Sequence, residues 1–166
     1  MEEMGYRNAL AVYKLSETGR LLKPRGDQVT LHPTALNLLS YMALNSYDWP
    51  PTEEMKRHHV PCRCYARGWD AAARAFGLTI AGGVKAEKIL AEGGDLESMM
   101  ETRLNSARHR LSDAAKFLQA QGLIKQLLPA DVRREKPAVW LLTIGDAEEN
   151  AKVEDWARTC YHLILE

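Results

Sequence analysis

The side chains best suited to chemistry lie together in the stretch KRHHVPCRCYARGW, residues 56–69. His58, His59, Cys62 and Cys64 are all residue types that bind zinc. Structural zinc sites usually draw two pairs of ligands from separate segments, with two to four residues between the members of a cysteine pair. Here all four candidates crowd into one loop, and a second pair is missing. The spacing therefore argues against a metal site, and we expect no metal and no cofactor.

The same loop is also basic, which suggests another use for it. Lys56, Arg57, Arg63 and Arg67 are cations that could flank the phosphates of a nucleic acid. The third cysteine, Cys160, falls on the apolar face of a C-terminal helix and is expected in the core.

Catalytic motifs are missing from the sequence. It contains no glycine-rich phosphate loop, no nucleophile elbow and no HExxH pattern. Initiators that nick DNA use a catalytic tyrosine with a His-x-His cluster, whereas Tyr161 and His162 stand alone near the C-terminus. The adjacent His58 and His59 point in different directions and make a poor chelate. We therefore predict no catalytic residues and no enzymatic activity.

Length and composition indicate one globular domain with a substantial core. The chain has 166 residues, of which 46% are hydrophobic and 27% charged. It has three cysteines, no apolar run of the roughly 20 residues needed to cross a bilayer, and an N-terminal sequence unlike a signal peptide. These features predict a cytoplasmic protein without a membrane partner.

The charge is balanced overall but unevenly distributed. Lysine and arginine number 22, as do aspartate and glutamate. Residues 102–136 contain eight basic and three acidic residues, whereas residues 145–166 contain six acidic and two basic ones. Such polarity favours a polyanion on one side of the molecule.

Hydrophobic periodicity predicts the elements that position these charges. Residues 10–15 and 29–31 have strand character, which predicts a β arm over residues 1–31. Apolar residues at helical spacing predict a helix opened by Pro33, a short helix over 69–76 capped by Gly77, and a long helix over 96–121. A brief exposed helix is expected in a glycine-bounded insert at residues 82–94, and residues 49–68 are expected to form a loop.

The C-terminal third predicts a β-hairpin and a last helix. LIKQLL and AVWLLTI have strand character and flank a polar, basic tip at residues 129–137. An amphipathic helix follows within residues 146–166, with Val153, Trp156, Ala157, Cys160 and Ile164 on its apolar face. That face could pack on its own domain or form a homodimer.

This order of elements predicts the fold class. Two helices in quick succession followed by a basic hairpin are the plan of a winged helix–turn–helix domain. We therefore expect an α+β, predominantly helical protein. Its winged-helix domain would span residues 32–145, between the N-terminal β arm and the C-terminal helix.

The long helix and the hairpin tip carry the candidate DNA-binding residues. Arginine, asparagine, serine and lysine side chains can read base edges or grip phosphates. The alternatives are a solvated helix face and a loop that keeps edge strands from aggregating. The candidates are Arg103, Asn105, Ser106, His109, Arg110 and Lys116 on the helix, and Arg133, Arg134 and Lys136 at the tip.

Three segments resemble a known family: YARGWDAAARAFGL, ARHRLSDAAKFLQAQGLIKQL and PAVWLLTI. They look like winged-helix proteins of actinobacterial plasmids and mobile elements, many described as helix–turn–helix or replication-initiator-like. The resemblance covers roughly residues 33–144 and implies the fold more than the activity, because its marks, such as Trp69 and Trp140, are mostly packing residues. The insert at residues 82–94 departs from the pattern by separating the two helices.

Two functions follow as expectations. The first is sequence-specific binding of double-stranded DNA through a recognition helix (102–121) and a basic wing (129–137). Such a protein would act as a transcriptional regulator or as a replication-initiator-like protein of a plasmid or mobile element. The second is a protein–protein interaction module that keeps the winged-helix scaffold without binding DNA.

Overall fold

The computed structural model describes the backbone of residues 4–165 and the side chains of residues 4–164. Its helices and strands form an α+β, predominantly helical protein, as predicted. None of the helices in this part of the chain is long and apolar enough to span a bilayer. The helices are α1 (Tyr6–Glu17), α2 (Pro33–Leu44), α3 (Glu53–Arg57), α4 (Gly68–Ala75), α5 (Gly83–Ala91), α6 (Leu96–Ala120) and α7 (Ala147–Leu165), and the strands are β1 (Leu22–Arg25), β2 (Gln28–Leu31), β3 (Cys64–Tyr65), β4 (Ile124–Leu128) and β5 (Val139–Leu142).

The prediction of a strand over residues 10–15 is wrong, because these residues belong to α1. A contact distant in sequence supports the start of this helix. The carboxylate of Asp48 accepts the backbone N–H groups of Arg7 (3.2 Å) and Asn8 (2.8 Å), which would otherwise lack partners. Asn8 and Val12, one helical turn apart, are buried. The apolar residues of this segment fit both periods, and tertiary contacts favour the helix.

The strand predicted at residues 29–31 is confirmed as part of β2, but its partner is β1. The two strands pair antiparallel, with Leu22 opposite Leu31 and Pro24 opposite Val29. Gly26 closes the turn between them with a φ of 64°, a conformation that glycine adopts without steric cost. This hairpin therefore connects α1 to α2.

Helices α2, α4 and α6 form the main core. Leu38, Leu39 and Met42 of α2 are fully buried, as are Leu111 and Leu118 of α6. Each such side chain contributes about 1.5–3 kcal/mol relative to exposure. The two helices predicted from apolar residues at helical spacing, one opened by Pro33 and one over 96–121, are therefore confirmed, and those apolar residues face the core.

A three-stranded antiparallel sheet covers one side of this core, in the order β3-β5-β4. Its edge strand β3 lies within the segment expected to be a loop, as does the short helix α3. Cys64 pairs with Leu141, and Tyr65 pairs with Trp140. A two-residue strand is too short to show a periodicity, so no sequence pattern predicts β3.

Helix α7 packs on this sheet through the apolar face predicted for it. Val153 and Ala157 are buried in a cluster with Leu141 of β5, and Cys160 is buried as well. Ile164, near the end of the helix, is 59% exposed. Most of the face predicted for packing or dimerisation is thus covered by the protein itself.

Candidate nucleic-acid interface

Helix α6 presents one face to the core and the other to the surroundings. Asp95 caps its start, since Oδ1 accepts the N–H of Glu97 at 2.9 Å. Ala107, Leu111, Ala114 and Leu118 turn toward the core, so the opposite side of the helix faces outward. All six candidates on the helix are exposed: Arg103, Asn105, Ser106, His109, Arg110 and Lys116.

Three of these candidates share a shallow groove along α6. Arg103, Ser106 and Arg110 line it together with Leu78, which follows α4. Neither arginine forms an ion pair within residues 4–165. Two free guanidinium groups, two turns apart beside a hydroxyl, are suited to the phosphates or base edges of a nucleic acid.

Asn105 has a partner that the sequence did not reveal. Arg108 donates to Asn105 Oδ1 at 3.0 Å and makes a two-pronged ion pair with Asp70 of α4, at 2.7 and 2.8 Å. The hydrogen bonds between Arg108 and Asp70 lower the pKa of the Asp70 carboxyl and raise that of Arg108. The ion pair links α4 to α6 between residues 38 positions apart in the sequence, so no local motif predicts it. Asn105 keeps its amide donors, but its oxygen is engaged.

Part of the basic stretch is neutralised by the acidic C-terminal helix. Lys125 of β4 lies 2.8 Å from Glu154 of α7, which also binds Arg158 at 2.7 Å. The hydrogen bond from Lys125, and then that from Arg158, lower the pKa of Glu154. Lys116, by contrast, makes a loose, exposed contact of 3.9 Å with Asp113. The charge of Lys125 is therefore paired within the protein, while Lys116 remains accessible to a ligand.

The tip of the β4–β5 hairpin is an ordered turn that carries exposed cations. The backbones of Asp131 and Lys136 exchange two hydrogen bonds of 2.9 Å. The carboxylate of Asp131 accepts the N–H groups of Arg133 (3.1 Å) and Arg134 (3.2 Å), and Glu135 adopts a left-handed φ of 53°. In the described chain, Arg133 and Lys136 form no ion pair, and Arg134 lies 3.7 Å from Asp131.

The helix and wing candidates occupy separate grooves. Arg133, Arg134 and Lys136 line a groove against α7, whereas Arg103 and Arg110 line the one beside α4. The structure therefore brings six of the nine predicted residues together in two separate groups, whereas Asn105, His109 and Lys116 line neither groove.

Aromatic stacking attaches the hairpin to α4. The rings of Trp69 and Trp140 stack with centroids 5.5 Å apart, and Trp69 also stacks on Tyr65 at 6.2 Å. Both tryptophans also pack against the main core, as expected of packing residues, and their stacking holds the short helix and the hairpin together.

The prediction that Arg63 flanks DNA phosphates is wrong, because Arg63 is buried. Its Nε donates to Asn8 Oδ1 at 3.0 Å, and its Nη1 pairs with Glu149 of α7. Its backbone is also fixed, since its N–H donates to the carbonyl of Tyr47 and its carbonyl accepts the N–H of Leu142. The other three cations of that loop, Lys56, Arg57 and Arg67, are exposed.

The four candidate metal ligands do not converge. His58 and His59 are exposed, and His59 packs near the ring of Trp156, whereas Cys62 is fully buried. Burial raises the pKa of Cys62 to about 12 and also raises that of Cys64, which disfavours the thiolates that bind zinc. Among residues 4–165, no group of three or more His, Cys, Asp or Glu side chains is placed to hold a metal ion.

No protein-family model, curated protein or solved structure matches this chain. The resemblance to plasmid winged-helix proteins therefore stays a prediction.

Proposed function

We propose that this protein is a winged helix–turn–helix protein that binds double-stranded DNA sequence-specifically. The observation that carries the proposal is the combination of topology and charge. The order α2-α3-β3-α4-α5-α6-β4-β5, with the strands arranged β3-β5-β4, supports it, because helices followed by a β-hairpin are the plan of such a domain. Free cations lie on both the helix and the hairpin that would meet the duplex.

In this proposal α6 is the recognition helix. An α-helix with its side chains is about 10–12 Å wide, close to the major groove's width of about 12 Å. Arg103 and Arg110 would bind guanine edges or phosphates, and Ser106 would donate to a backbone oxygen. Asn105 would contact adenine through both amide atoms only after Arg108 releases its oxygen.

The hairpin tip acts as the wing. Asp131 fixes the backbone of its turn, so Arg133 and Arg134 would lose little backbone entropy on binding. They and Lys136 would contact the phosphate backbone or the minor groove, where arginine is favoured by the negative potential.

The biological role we propose is transcriptional regulation or replication-initiator-like marking of a plasmid or mobile-element origin. A homodimer would suit a paired half-site, because two-fold symmetric readers bind two-fold symmetric DNA. On α7, the large apolar side chains exposed within the described residues are Leu163 and Ile164, and a dimer through this helix would use them.

A protein–protein interaction module is the second candidate, and one surface favours it. Leu22, Pro24, Val29 and Leu31 share one face of the β1–β2 hairpin, and all four are exposed. An apolar face turned away from the core is typical of a surface that meets another protein.

Fluorescence anisotropy with a mixed-sequence duplex over a salt series tests DNA binding. We expect a steep decrease of log K with log salt. The double variant Arg133→Ala/Arg134→Ala should reduce that slope by about 1.8, or about 0.9 for each phosphate that is no longer neutralised. The variant Arg7→Ala/Arg25→Ala removes two exposed arginines that are not among the candidate DNA contacts, and it should leave the slope unchanged.

The outcomes separate the two functions. Absence of binding at low salt would refute the DNA proposal and favour the interaction module. An equal decrease of the slope in both double variants would mean that DNA binding depends on the net charge of the protein and that the wing makes no specific phosphate contacts. If only Arg133→Ala/Arg134→Ala reduces the slope, the preferred DNA sequence is selected next. Arg110→Ala should weaken binding to that sequence by about 1–3 kcal/mol and relax specificity at one base position.

A further inference from the structure

A groove of about 490 Å³ separates the wing from the last turns of α7. Its volume lies within the range of about 300–1,000 Å³ that is usual for small-molecule sites. The groove belongs to neither the α6 face nor the main core. It is lined by Leu128, Pro129, Ala130, Asp131, Val132, Arg133, Arg134, Lys136, Pro137, Val139, Tyr161 and Ile164.

The lining contains both apolar and basic side chains. Leu128, Val139 and Ile164 supply apolar surface, which favours a hydrocarbon or aromatic body. Arg133 and Lys136 also line the groove and lack an ion pair in the described structure. The single lining carboxylate, that of Asp131, already accepts two backbone N–H groups and lies near Arg134. The site therefore carries an excess of positive charge beside an apolar surface.

We propose that this groove binds an amphipathic organic anion, with one carboxylate on an apolar chain. The carboxylate would pair with Arg133 and Lys136, and the chain would lie over Leu128 and Val139 toward Ile164. The opposite orientation is disfavoured, because the carbonyl groups at the C-terminal end of α7 carry partial negative charge.

Such a ligand would regulate the proposed DNA-binding site. Its carboxylate would occupy the cations assigned to the wing, so ligand and duplex would compete for them. This coupling rests on the proposed function, whereas binding of the anion does not and is measured without DNA.

Calorimetric titration of the full chain with decanoate, kept below its micellar concentration, tests the site. We expect saturable binding of one decanoate per chain, about tenfold tighter than that of decan-1-ol, which has the same chain without the charge. Ala130→Trp, at an exposed lining position, should fill the groove and abolish binding. Lys136→Ala should weaken binding roughly two- to fivefold, as expected for one exposed ion pair.

Matched controls are available on α5, away from the groove. Ala91→Trp and Lys85→Ala introduce the same changes at exposed positions and should leave decanoate binding unaltered. Circular dichroism of every variant establishes that the fold is kept.

Several results would overturn the proposal. They are an absence of saturable decanoate binding, equal affinity for decan-1-ol, or unchanged binding by Ala130→Trp. Light scattering that shows a dimer dissociated by Ala130→Trp would also overturn it, because a second copy would then occupy the groove. If decanoate binds but leaves anisotropy with DNA unchanged, the site stands and the competition with DNA is refuted.

Discussion

Replacing Glu149 with alanine tests whether the buried Arg63 depends on its ion pair. The side chain of Arg63 is only 7% exposed. Its guanidinium donates to Glu149 and to Asn8, which join α7 and α1 to the segment before β3. The substitution leaves a buried cation with one neutral hydrogen-bond acceptor. Burial of an uncompensated charge is among the most costly changes in a protein.

The expected destabilisation follows from how far water can reach the site. Removing one partner of a buried ion pair typically costs about 3–5 kcal/mol. The side chain of Glu149 is 35% exposed, so water would partly replace its carboxylate. We therefore expect the free energy of unfolding to fall by about 2–3 kcal/mol, below the range for a fully buried pair.

Glu148→Ala is the matched control, one residue earlier in the same helical turn. Its carboxylate is 81% exposed and pairs with an exposed Lys152 at 3.0 Å. Such a surface pair contributes about 0–1 kcal/mol. Both variants remove one negative charge from the first turn of α7, so the effect on the helix dipole is largely shared.

Urea unfolding followed by circular dichroism measures the difference between these two variants. The midpoint for Glu149→Ala should fall well below that for Glu148→Ala, with similar slopes. Free energies of unfolding within about 0.5 kcal/mol of each other would refute the reasoning, because they would place Arg63 in contact with water.

Three further predictions concern His32, Asp70 and Leu111. Burial, and then Lys23, lower the pKa of His32, whose Nδ1 accepts a backbone N–H at the start of α2. The free energy of unfolding should therefore fall as pH drops below about 6.5. In thermal unfolding from pH 7 to 5, the melting temperature of His32→Asn should decrease less than that of the parent. Asp70→Ala should lower the free energy of unfolding by about 1 kcal/mol at pH 7, because the ion pair between Asp70 and Arg108 is half-exposed. That pair lowers the pKa of Asp70. The free energies from urea unfolding of variant and parent should therefore converge as acid protonates the carboxylate. Leu111→Ala should cost about 2–5 kcal/mol in urea unfolding, and a cost under 1 kcal/mol would contradict its place in the core.

Periodicity in the sequence predicted the long helices and most of their orientation. The stripe of Leu104, Ala107, Leu111, Ala114 and Leu118 shows which side of α6 meets the core, and it therefore also shows which side is exposed. A helix repeats its face every few residues, so a local pattern carries this information. The exposure of the six predicted DNA-binding residues on α6 follows from the same reasoning, whereas that of Arg133, Arg134 and Lys136 follows from their place in the polar tip of the hairpin.

Periodicity could not assign α1 or the role of Arg63. The apolar residues of 10–15 fit a strand as well as a helix, and the carboxylate of Asp48 that supports the start of the helix lies 40 residues from Asn8. Arg63 belongs to a basic loop in the sequence, yet the partners that neutralise it come from α1 and α7.

Sequence alone thus determined the helix faces, the hairpin with its basic tip and the division into basic and acidic stretches. Tertiary structure decided which charges remain free, because Asp70 and Glu154 reach Arg108 and Lys125 from other elements. It also created the groove between the wing and α7. Local patterns arise from repeats of a few residues, whereas ion pairs and grooves arise between segments whose proximity is set by packing of the whole core.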